Sequence, residues 1–331
     1  MQPRRCDVGR ACSAGVCVNA CPSGTSFCSG GCVSLQRDAR NCGACGTVCA
    51  SGTTCTNGAC TPVVPANDTL QNAETLSFAS ATLDVSATTT GATNNLQNPC
   101  LTGNVGLSPD VFYRFTLSRR EIVYADTFGA TWDTALYFLD SMGRAVPSQT
   151  PGDVVCNDDA NGVCSDVGTR SRVVTVLPAG TWYLAVTGWN GQTGVTNVHI
   201  EHVPAAGGTL AVLAAGATTQ TGRTSGNNGF ASATCGGTGP ENGYWWTTCP
   251  PSMSGTVTLT AETCGTAEFD TVLHLQNGNG FTACNDNGMN TCTPTSQLSV
   301  TYANTVRLHE LLVDGFLVGN AGNYSVRINR P

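Results

Sequence analysis

The chain of 331 residues contains no lysine, and all 15 of its basic residues are arginine. Charged residues make up only 11% of it, against about 25% in an ordinary globular domain. A net charge of −7 with no basic run excludes a nucleic-acid binder, which needs clustered positive charge to meet phosphate. No stretch approaches 18 consecutive apolar residues, so no transmembrane segment is expected. No window carries a 3.6-residue hydrophobic period, so helices are not expected either. There are four histidines. His199 and His202 stand three apart in a strand-like segment, which puts them on opposite faces. His309-Glu310 lacks the second histidine of a zincin, and His274 stands alone. No Gly-x-Ser-x-Gly elbow and no P-loop occurs. The chain is therefore expected to be no enzyme and to require no cofactor. Met1-Gln-Pro-Arg-Arg5 is followed by no apolar leader, so the expectation is an exported chain without its signal, or a fragment.

What the chain has is cysteine and glycine, 19 and 39 of them. Eleven of the cysteines lie between Cys6 and Cys60. A 60-residue stretch so poor in apolar runs cannot bury a sufficient core, and covalent cross-links take that role. Zinc is the rival reading, since Cys42-Gly-Ala-Cys45 is a CxxC, but no histidine lies near it and the cysteines are too many. Disulfides place the protein in an oxidising space, extracellular or at the cell surface. Cys49-x5-Cys55-x4-Cys60 repeats the spacing of Cys6-x5-Cys12-x4-Cys17. Residues 21–60 then form one full module with Cys21, Cys28, Cys32, Cys42, Cys45, Cys49, Cys55 and Cys60. Eight cysteines allow 105 pairings, and spacing does not choose among them. Residues 1–20 are read as the tail of a preceding unit that has lost a partner for at least one of its three cysteines.

The run from Cys28 to Cys49, with its Asn41-Cys-Gly-Ala-Cys-Gly46 centre, resembles the cysteine-rich repeat of stigma-specific plant secreted proteins, a repeat shared by secreted proteins of high-GC bacteria. The resemblance implies a secreted spacer or interaction module without catalysis.

Residues 61–66 form a linker stiffened by Pro62 and Pro65. Beyond it the composition shifts to Thr, Ser, Val, Gly and Asn. Short β-branched and aromatic runs follow, such as Val111-Phe-Tyr-Arg-Phe115 and Trp182-Tyr-Leu-Ala-Val-Thr187, with turn residues at intervals of about 8–12. The chain also repeats itself. Trp132-Asp-Thr-Ala-Leu136 matches Phe269-Asp-Thr-Val-Leu273, and Cys156-Asn-Asp-Asp159 matches Cys284-Asn-Asp-Asn287. Leu184-Ala-Val-Thr-Gly-Trp189 matches Leu311-Leu-Val-Asp-Gly-Phe316. The fold expected is all-β, two tandem jelly-roll-like β-sandwiches over residues 67–204 and 208–331, behind a mostly irregular disulfide-rich module. These motifs, in this order and twice over, resemble the bacterial pre-peptidase C-terminal domain. That resemblance implies a β-sandwich appended to secreted proteases and surface proteins.

Two acidic loops are the candidate sites. Asn157-x-Asp159-x-Asn161-Gly162 sets oxygen-bearing side chains at alternate positions before a glycine, as at the start of an EF-hand loop. The twelfth position is Gly168 rather than a bidentate Glu, so Asp133, Asp158 or Asp166 would complete a Ca²⁺ shell. The second loop offers Asn285, Asp286 and Asn287, helped by Asp270. The alternative is an Asx-turn tip in which these groups bond their own backbone. Asp133-Thr134 and Asp270-Thr271 either anchor the loops or add a carboxylate to the metal shell. Bridges Cys156–Cys164 and Cys284–Cys292 are expected to close nine-residue loops, each worth roughly 2–3 kcal/mol. Cys249 and Cys264 are expected to pair across a hairpin, and Cys100 with Cys235 by elimination. Tyr244-Trp-Trp246 is expected in the core, while Trp189 and Phe316, at strand ends beside glycine, are the candidate ligand platform.

The function expected is that of a non-catalytic secreted or cell-surface protein. Its sandwiches would bind extracellular polysaccharide or protein, or associate with one another. A structural subunit of an extracellular filament or coat, and an accessory region of a larger secreted hydrolase, are the alternatives.

Overall fold

The computed structural model describes residues 11–13, 16–18, 21–50, 52–100, 107–148, 155–160, 164, 167–226, 235–249, 255–280, 282–288 and 292–330. Among them the chain is almost wholly strand and turn, with a 3₁₀ turn at Leu70–Asn72 and no α-helix. Among the described residues no helix is long and apolar enough to cross a membrane.

In the cysteine-rich region β1 (Ala11–Ser13) and β2 (Val16–Val18) form a hairpin with Cys12 opposite Cys17. A second hairpin, β3 (Ser26–Cys28) with β4 (Gly31–Val33), joins it through a parallel β1–β4 contact. The third hairpin, β5 (Thr53–Thr56) with β6 (Ala59–Pro62), puts Cys55 opposite Cys60, as Cys12 stands opposite Cys17. The four bridges of the full module are Cys21–Cys32, Cys28–Cys45, Cys42–Cys55 and Cys49–Cys60. Cys42 and Cys45 belong to different bridges, which leaves no thiolate pair for zinc. Cys17 is also disulfide-bonded, whereas Cys6 and the side chain of Cys12 lie outside the described residues. Among the described residues from 21 to 60, the buried side chains are Cys28, Cys42 and Cys55. The interior of this module is sulfur, as its lack of apolar runs requires.

The first sandwich begins with a two-residue edge strand, β7 (Glu74–Thr75). Eight strands follow: β8 (Thr82–Thr88), β9 (Val111–Leu117), β10 (Glu121–Asp126), β11 (Thr134–Leu139), β12 (Cys156–Asn157), β13 (Arg172–Leu177), β14 (Gly180–Gly188) and β15 (Val195–Pro204). One sheet runs β13-β10-β15-β8 and the other β12-β11-β14-β9-β7. Numbered one to eight from β8, these are 1-8-3-6 and 2-7-4-5, which is jelly-roll connectivity. The second sandwich repeats it. After an edge strand β16 (Leu210–Val212) come β17 (Gly216–Arg223), β18 (Asn242–Thr247), β19 (Thr256–Glu262), β20 (Thr271–Asn277), β21 (Thr282–Asn285), β22 (Gln297–Ala303), β23 (Leu308–Gly315) and β24 (Asn323–Arg330). Its sheets run β17-β24-β19-β22 and β16-β18-β23-β20-β21.

Each sandwich closes over its own core. In the first, Tyr113, Phe115, Leu136 and Phe138 meet Val123, Ala125, Val198 and Ile200 of the facing sheet. In the second, Tyr244, Trp246, Leu273 and Leu311 meet Leu259, Ala261, Val326 and Ile328. Tyr244 and Trp246 are core residues as expected. Strand alternation turns Trp245 to the opposite face, where it joins Ile122, Tyr124, Val203 and Leu308 in a third apolar layer between the sandwiches.

Polar contacts complete that interface. Glu201, buried, accepts the backbone N–H groups of Arg307 and Leu308, the latter at 2.7 Å. Arg307 Nε lies 2.9 Å from Asp126, and Arg172 Nη1 donates to Thr247 Oγ1 at 2.7 Å.

The disulfides of the sandwiches differ from all four expected pairs. Cys156 pairs with Cys100, and Cys164 with Cys249; Cys284 pairs with Cys235, and Cys292 with Cys264. Cys156 and Cys164 bracket one loop but lie in different apolar clusters. Cys156 packs beside Leu96 and Tyr137, and Cys164 beside Phe128 and Val167. Cys249 and Cys264 flank β18 and β19, which belong to different sheets, so no hairpin joins them. Cys100 and Cys235 do hold equivalent places, each bridged within its own copy. Asp126-Thr-Phe128 is the counterpart of Glu262-Thr-Cys264. Where the second copy has Cys264 to take Cys292, the first has Phe128, and Cys164 instead reaches Cys249 of the second sandwich.

Candidate metal centre at the loop end of the first sandwich

The site is built by one hydrogen-bonded hub, present in both copies. Ser171, at the start of β13, donates its backbone N–H to Thr127 Oγ1 at 3.0 Å and to Thr134 Oγ1 at 3.2 Å. Its hydroxyl reaches the carbonyls of Thr134 and of Asp158, the latter at 2.7 Å. Ser296 does the same to Thr263, Thr271 and the Asp286 carbonyl. One buried serine thus fixes the acidic loop to the start of the Asp-Thr strand. This settles the role of Thr134 and Thr271, which anchor the loops.

Asn157 and Asn285 are anchors as well. Asn157 Oδ1 accepts the N–H of Arg172 at 2.9 Å, and Asn285 Oδ1 that of Gln297 at 3.1 Å. Asn157 Nδ2 also donates to the Asp159 carbonyl at 3.1 Å. Each amide oxygen thereby holds the backbone of the next strand. Asn161 and Asp166 lie outside the described residues.

The carboxylates behave differently. Asp133, Asp158 and Asp159 each bring an oxygen to one place, all within 4.8 Å of one another. Oδ1 of Asp133 and Oδ1 of Asp158 are buried without a hydrogen-bond partner. Burial first, then the charges of Asp133 and Asp159, push the Asp158 carboxyl up to about 7. Burial and Asp159 raise Asp133 as well. Packing acids this close without a base is unfavourable unless a proton or a cation sits among them. A hard dication with oxygen preference fits the donor set; backbone carbonyls and water would complete the six to eight ligands of Ca²⁺.

The second copy is thinner. Oδ1 of Asp270 and Oδ1 of Asp286 are also buried and unpartnered. Burial and the neighbouring acid raise Asp270, and burial raises Asp286. Asn287 stands where the first copy has Asp159, and its Nδ2 donates to Asp286 Oδ2 at 2.7 Å. An amide donor has replaced the third charge.

The two platform candidates also part ways. Trp189 is 36% exposed, and its backbone N–H donates to the Asp133 carbonyl at 3.2 Å, which seats it beside the acidic group. Phe316 makes the matching bond to Asp270 at 3.0 Å. Its ring is covered by the backbone of Gly236, where a Cβ would stand 2.5 Å from it. It is no open platform.

Comparison with known proteins adds one family. Residues 3–62 match the stigma-specific STIG1-like protein family. No curated protein matches the chain. Among solved structures, the CUB1-EGF-CUB2 domains of rat MASP-1 overlap 77% of this chain and 100% of their own, at 8% identity and a TM-score of 0.20. A β-porphyranase of glycoside hydrolase family 86 from the human gut bacterium Bacteroides plebeius overlaps 71% of this chain and 37% of its own, at 9% identity and a TM-score of 0.17. Overlaps this loose define no common arrangement of domains.

Proposed function

We propose that the chain is a secreted or surface-attached, non-catalytic binding protein. A disulfide-rich spacer carries two jelly rolls, and the first presents a Ca²⁺-organised loop end to an extracellular polysaccharide or protein. The kinship of the sandwiches to the pre-peptidase C-terminal domain rests on their sequence motifs. The observation that carries the reading is the convergence of Asp133, Asp158 and Asp159, with two buried oxygens lacking any partner.

Bound Ca²⁺ would supply positive charge to these acids and tie the 156–160 loop to the turn before β11. Asp133 would pass that order to Trp189 through its carbonyl. The aromatic ring beside a rigid polar rim is the contact surface, since an exposed ring packs against sugar faces or apolar side chains at low entropic cost. The histidines support a non-catalytic role. His199 lies between Asp84 and Glu201, His202 between Glu121 and the Ser80 carbonyl, and His309 against the Trp246 ring. Each is held as part of the framework.

Isothermal titration with Ca²⁺ tests the site. The native protein should give a one-site isotherm that D158N abolishes while D286N keeps it. The absence of heat and of any rise in melting temperature with millimolar Ca²⁺ would sink the metal reading. Binding to extracellular polysaccharides or matrix proteins that chelator and W189A both weaken would support the rest. Undiminished binding by W189A would move the contact surface elsewhere.

A further inference from the structure

The first sandwich carries a second feature at its loop end, built around Trp132. This residue is half-buried, yet it packs into none of the apolar clusters among the described residues. Its indole lies instead against two glycines. A Cβ on Gly194 would stand 2.5 Å from Cδ1 and from Nε1 of the ring, and one on Gly188 would stand 2.9 Å from Cζ3. Gly194 has no left-handed φ, so its position calls for glycine to admit the ring and not to bend the chain. Trp132 Nε1 donates to the Val195 carbonyl at 3.2 Å, which fixes the direction of the ring. Together with Thr131, Thr169 and Arg170 among others, Trp132 lines an open pocket of about 310 Å³, the small end of the range for ligand sites.

Arg170 forms the charged wall. Its Nε donates to the Ala130 carbonyl at 2.7 Å. Its two terminal amino groups take part in no hydrogen bond or ion pair among the described residues. The duplication shows that this arrangement belongs to the first copy alone. Where the first copy has Trp132 the second has Phe269, which is 8% exposed and sits in the core, edge-on to Tyr324. Where the first has Arg170 the second has Thr295, buried, with its hydroxyl donating to the Cys292 carbonyl at 2.6 Å. The sandwich therefore needs neither an indole outside the core nor an arginine at these places.

We propose that this pocket binds one uronate unit of an acidic polysaccharide. The indole takes the C–H face of the sugar ring. The outer edge of the guanidinium, whose inner nitrogen is held by Ala130, takes the carboxylate through two parallel N–H···O bonds. A neutral sugar would leave the guanidinium without an anion, and a small acid without a ring would leave the indole uncovered. Thr131 and Thr169 give the pocket polar walls for the ring hydroxyls, and its open side lets a glycan chain continue in both directions. The assignment rests on reading this end of the first sandwich as the contact surface, and it names the class of ligand held there. Both walls adjoin the acidic group: Trp132 precedes Asp133, and the Arg170 carbonyl accepts the N–H of Ala160, next to Asp159, at 2.8 Å. Bound Ca²⁺ would cancel negative charge beside the incoming carboxylate.

The test is isothermal titration of the full chain, in millimolar Ca²⁺, with a tetrasaccharide of glucuronic acid and with its methyl ester, which keeps the rings and lacks the charge. The acid should bind, and the ester should bind at least tenfold more weakly. R170Q, checked for a native melting temperature, should lose roughly 10–100-fold in affinity for the acid, the worth of hydrogen bonds to a charged group. In the native protein the indole N–H resonance of Trp132, assigned with W132F, should shift as the acid is added. No binding of the acid by the native protein, or equal binding of acid and ester, would overturn the proposal even if R170Q fails to fold. Undiminished affinity in folded R170Q would overturn it as well. Binding of other glycans that W189A weakens and R170Q does not would keep this end as the contact surface and overturn the uronate. R170Q-sensitive binding without any Ca²⁺ heat would do the reverse, removing the metal and supporting the uronate.

Discussion

Glu310 gives a pH dependence that can be worked from its surroundings. Its carboxylate is completely buried. It accepts the N–H of Ala206 at 3.0 Å and the Gln276 amide at 2.6 Å, joining the inter-sandwich connection to β20 and β23. Burial, the largest effect, lifts it to about 8; the two hydrogen bonds oppose the rise, Glu241 adds to it and Arg120 opposes it. The unfolded chain releases this proton near 4.5. Between those values the folded state holds one proton more, so stability must fall as pH rises. The slope approaches about 1.4 kcal/mol per pH unit, and the full window amounts to about 5 kcal/mol. E310Q removes the titration. It also sets two amide groups against each other at Gln276, which costs about 1 kcal/mol for the hydrogen bond lost. The variant should therefore be slightly less stable than the native protein at pH 4.5 and clearly more stable at pH 8, with the curves crossing between. Urea unfolding with disulfides intact, followed by tryptophan fluorescence from pH 4.5 to 9, measures both. All other titrating groups are common to the two proteins, so the difference isolates Glu310. A constant offset across that range would refute the reasoning.

The remaining expectations concern the hub and the inter-sandwich tie. S171A and S296A each remove a buried hydroxyl that joins an acidic loop to its neighbouring strand, and each should cost about 1–3 kcal/mol in thermal unfolding. S171A should also weaken Ca²⁺ binding, and S296A should leave it unchanged, in the same titration. Replacing Cys164 and Cys249 together by serine opens a bridge that spans 85 residues. That should cost about 4–5 kcal/mol in the chain-entropy treatment, read as a drop in urea midpoint. Retention of the native midpoint by the double variant would show that the apolar layer alone fixes the two sandwiches.

Much of the fold could be read from the sequence because duplication made it redundant. The Asp-Thr motif marks the starts of β11 and β20, and the Ser-led runs mark β13 and β22. The matched order of such motifs was enough to imply the same sandwich twice. Disulfide partners were not legible, because spacing gives the length of a loop and not the direction of its side chains. Cys156 and Cys164 are close in sequence but point into different clusters. The candidate metal centre was legible in part. Asp133, Asp158 and Asp159 were found by their charge. Asn157 and Asn285 look like ligands in a linear motif, and only folding shows that their oxygens accept the backbone N–H of the next strand.

The signal for the inter-sandwich layer was present but needed a comparison of the copies. Asp126 corresponds to Glu262, so Ile122 and Tyr124 correspond to Thr258 and Thr260. On the neighbouring strand Val174 and Val176 correspond to Ser299 and Thr301. The first set packs into the layer with Trp245, whereas all four members of the second set are exposed. Burying an aromatic or branched aliphatic side chain contributes roughly 1.5–3 kcal/mol, and threonine on an outer face contributes little of this. The first copy is therefore built to receive a neighbour on this face, and the second is built to meet water there. An open cleft of about 800 Å³, lined by Thr260, Glu262, Gln297, Ser299 and Arg327 among others, lies on this face of the second copy. Polar side chains at these four positions give that face of the second copy no apolar layer to bury against a neighbour.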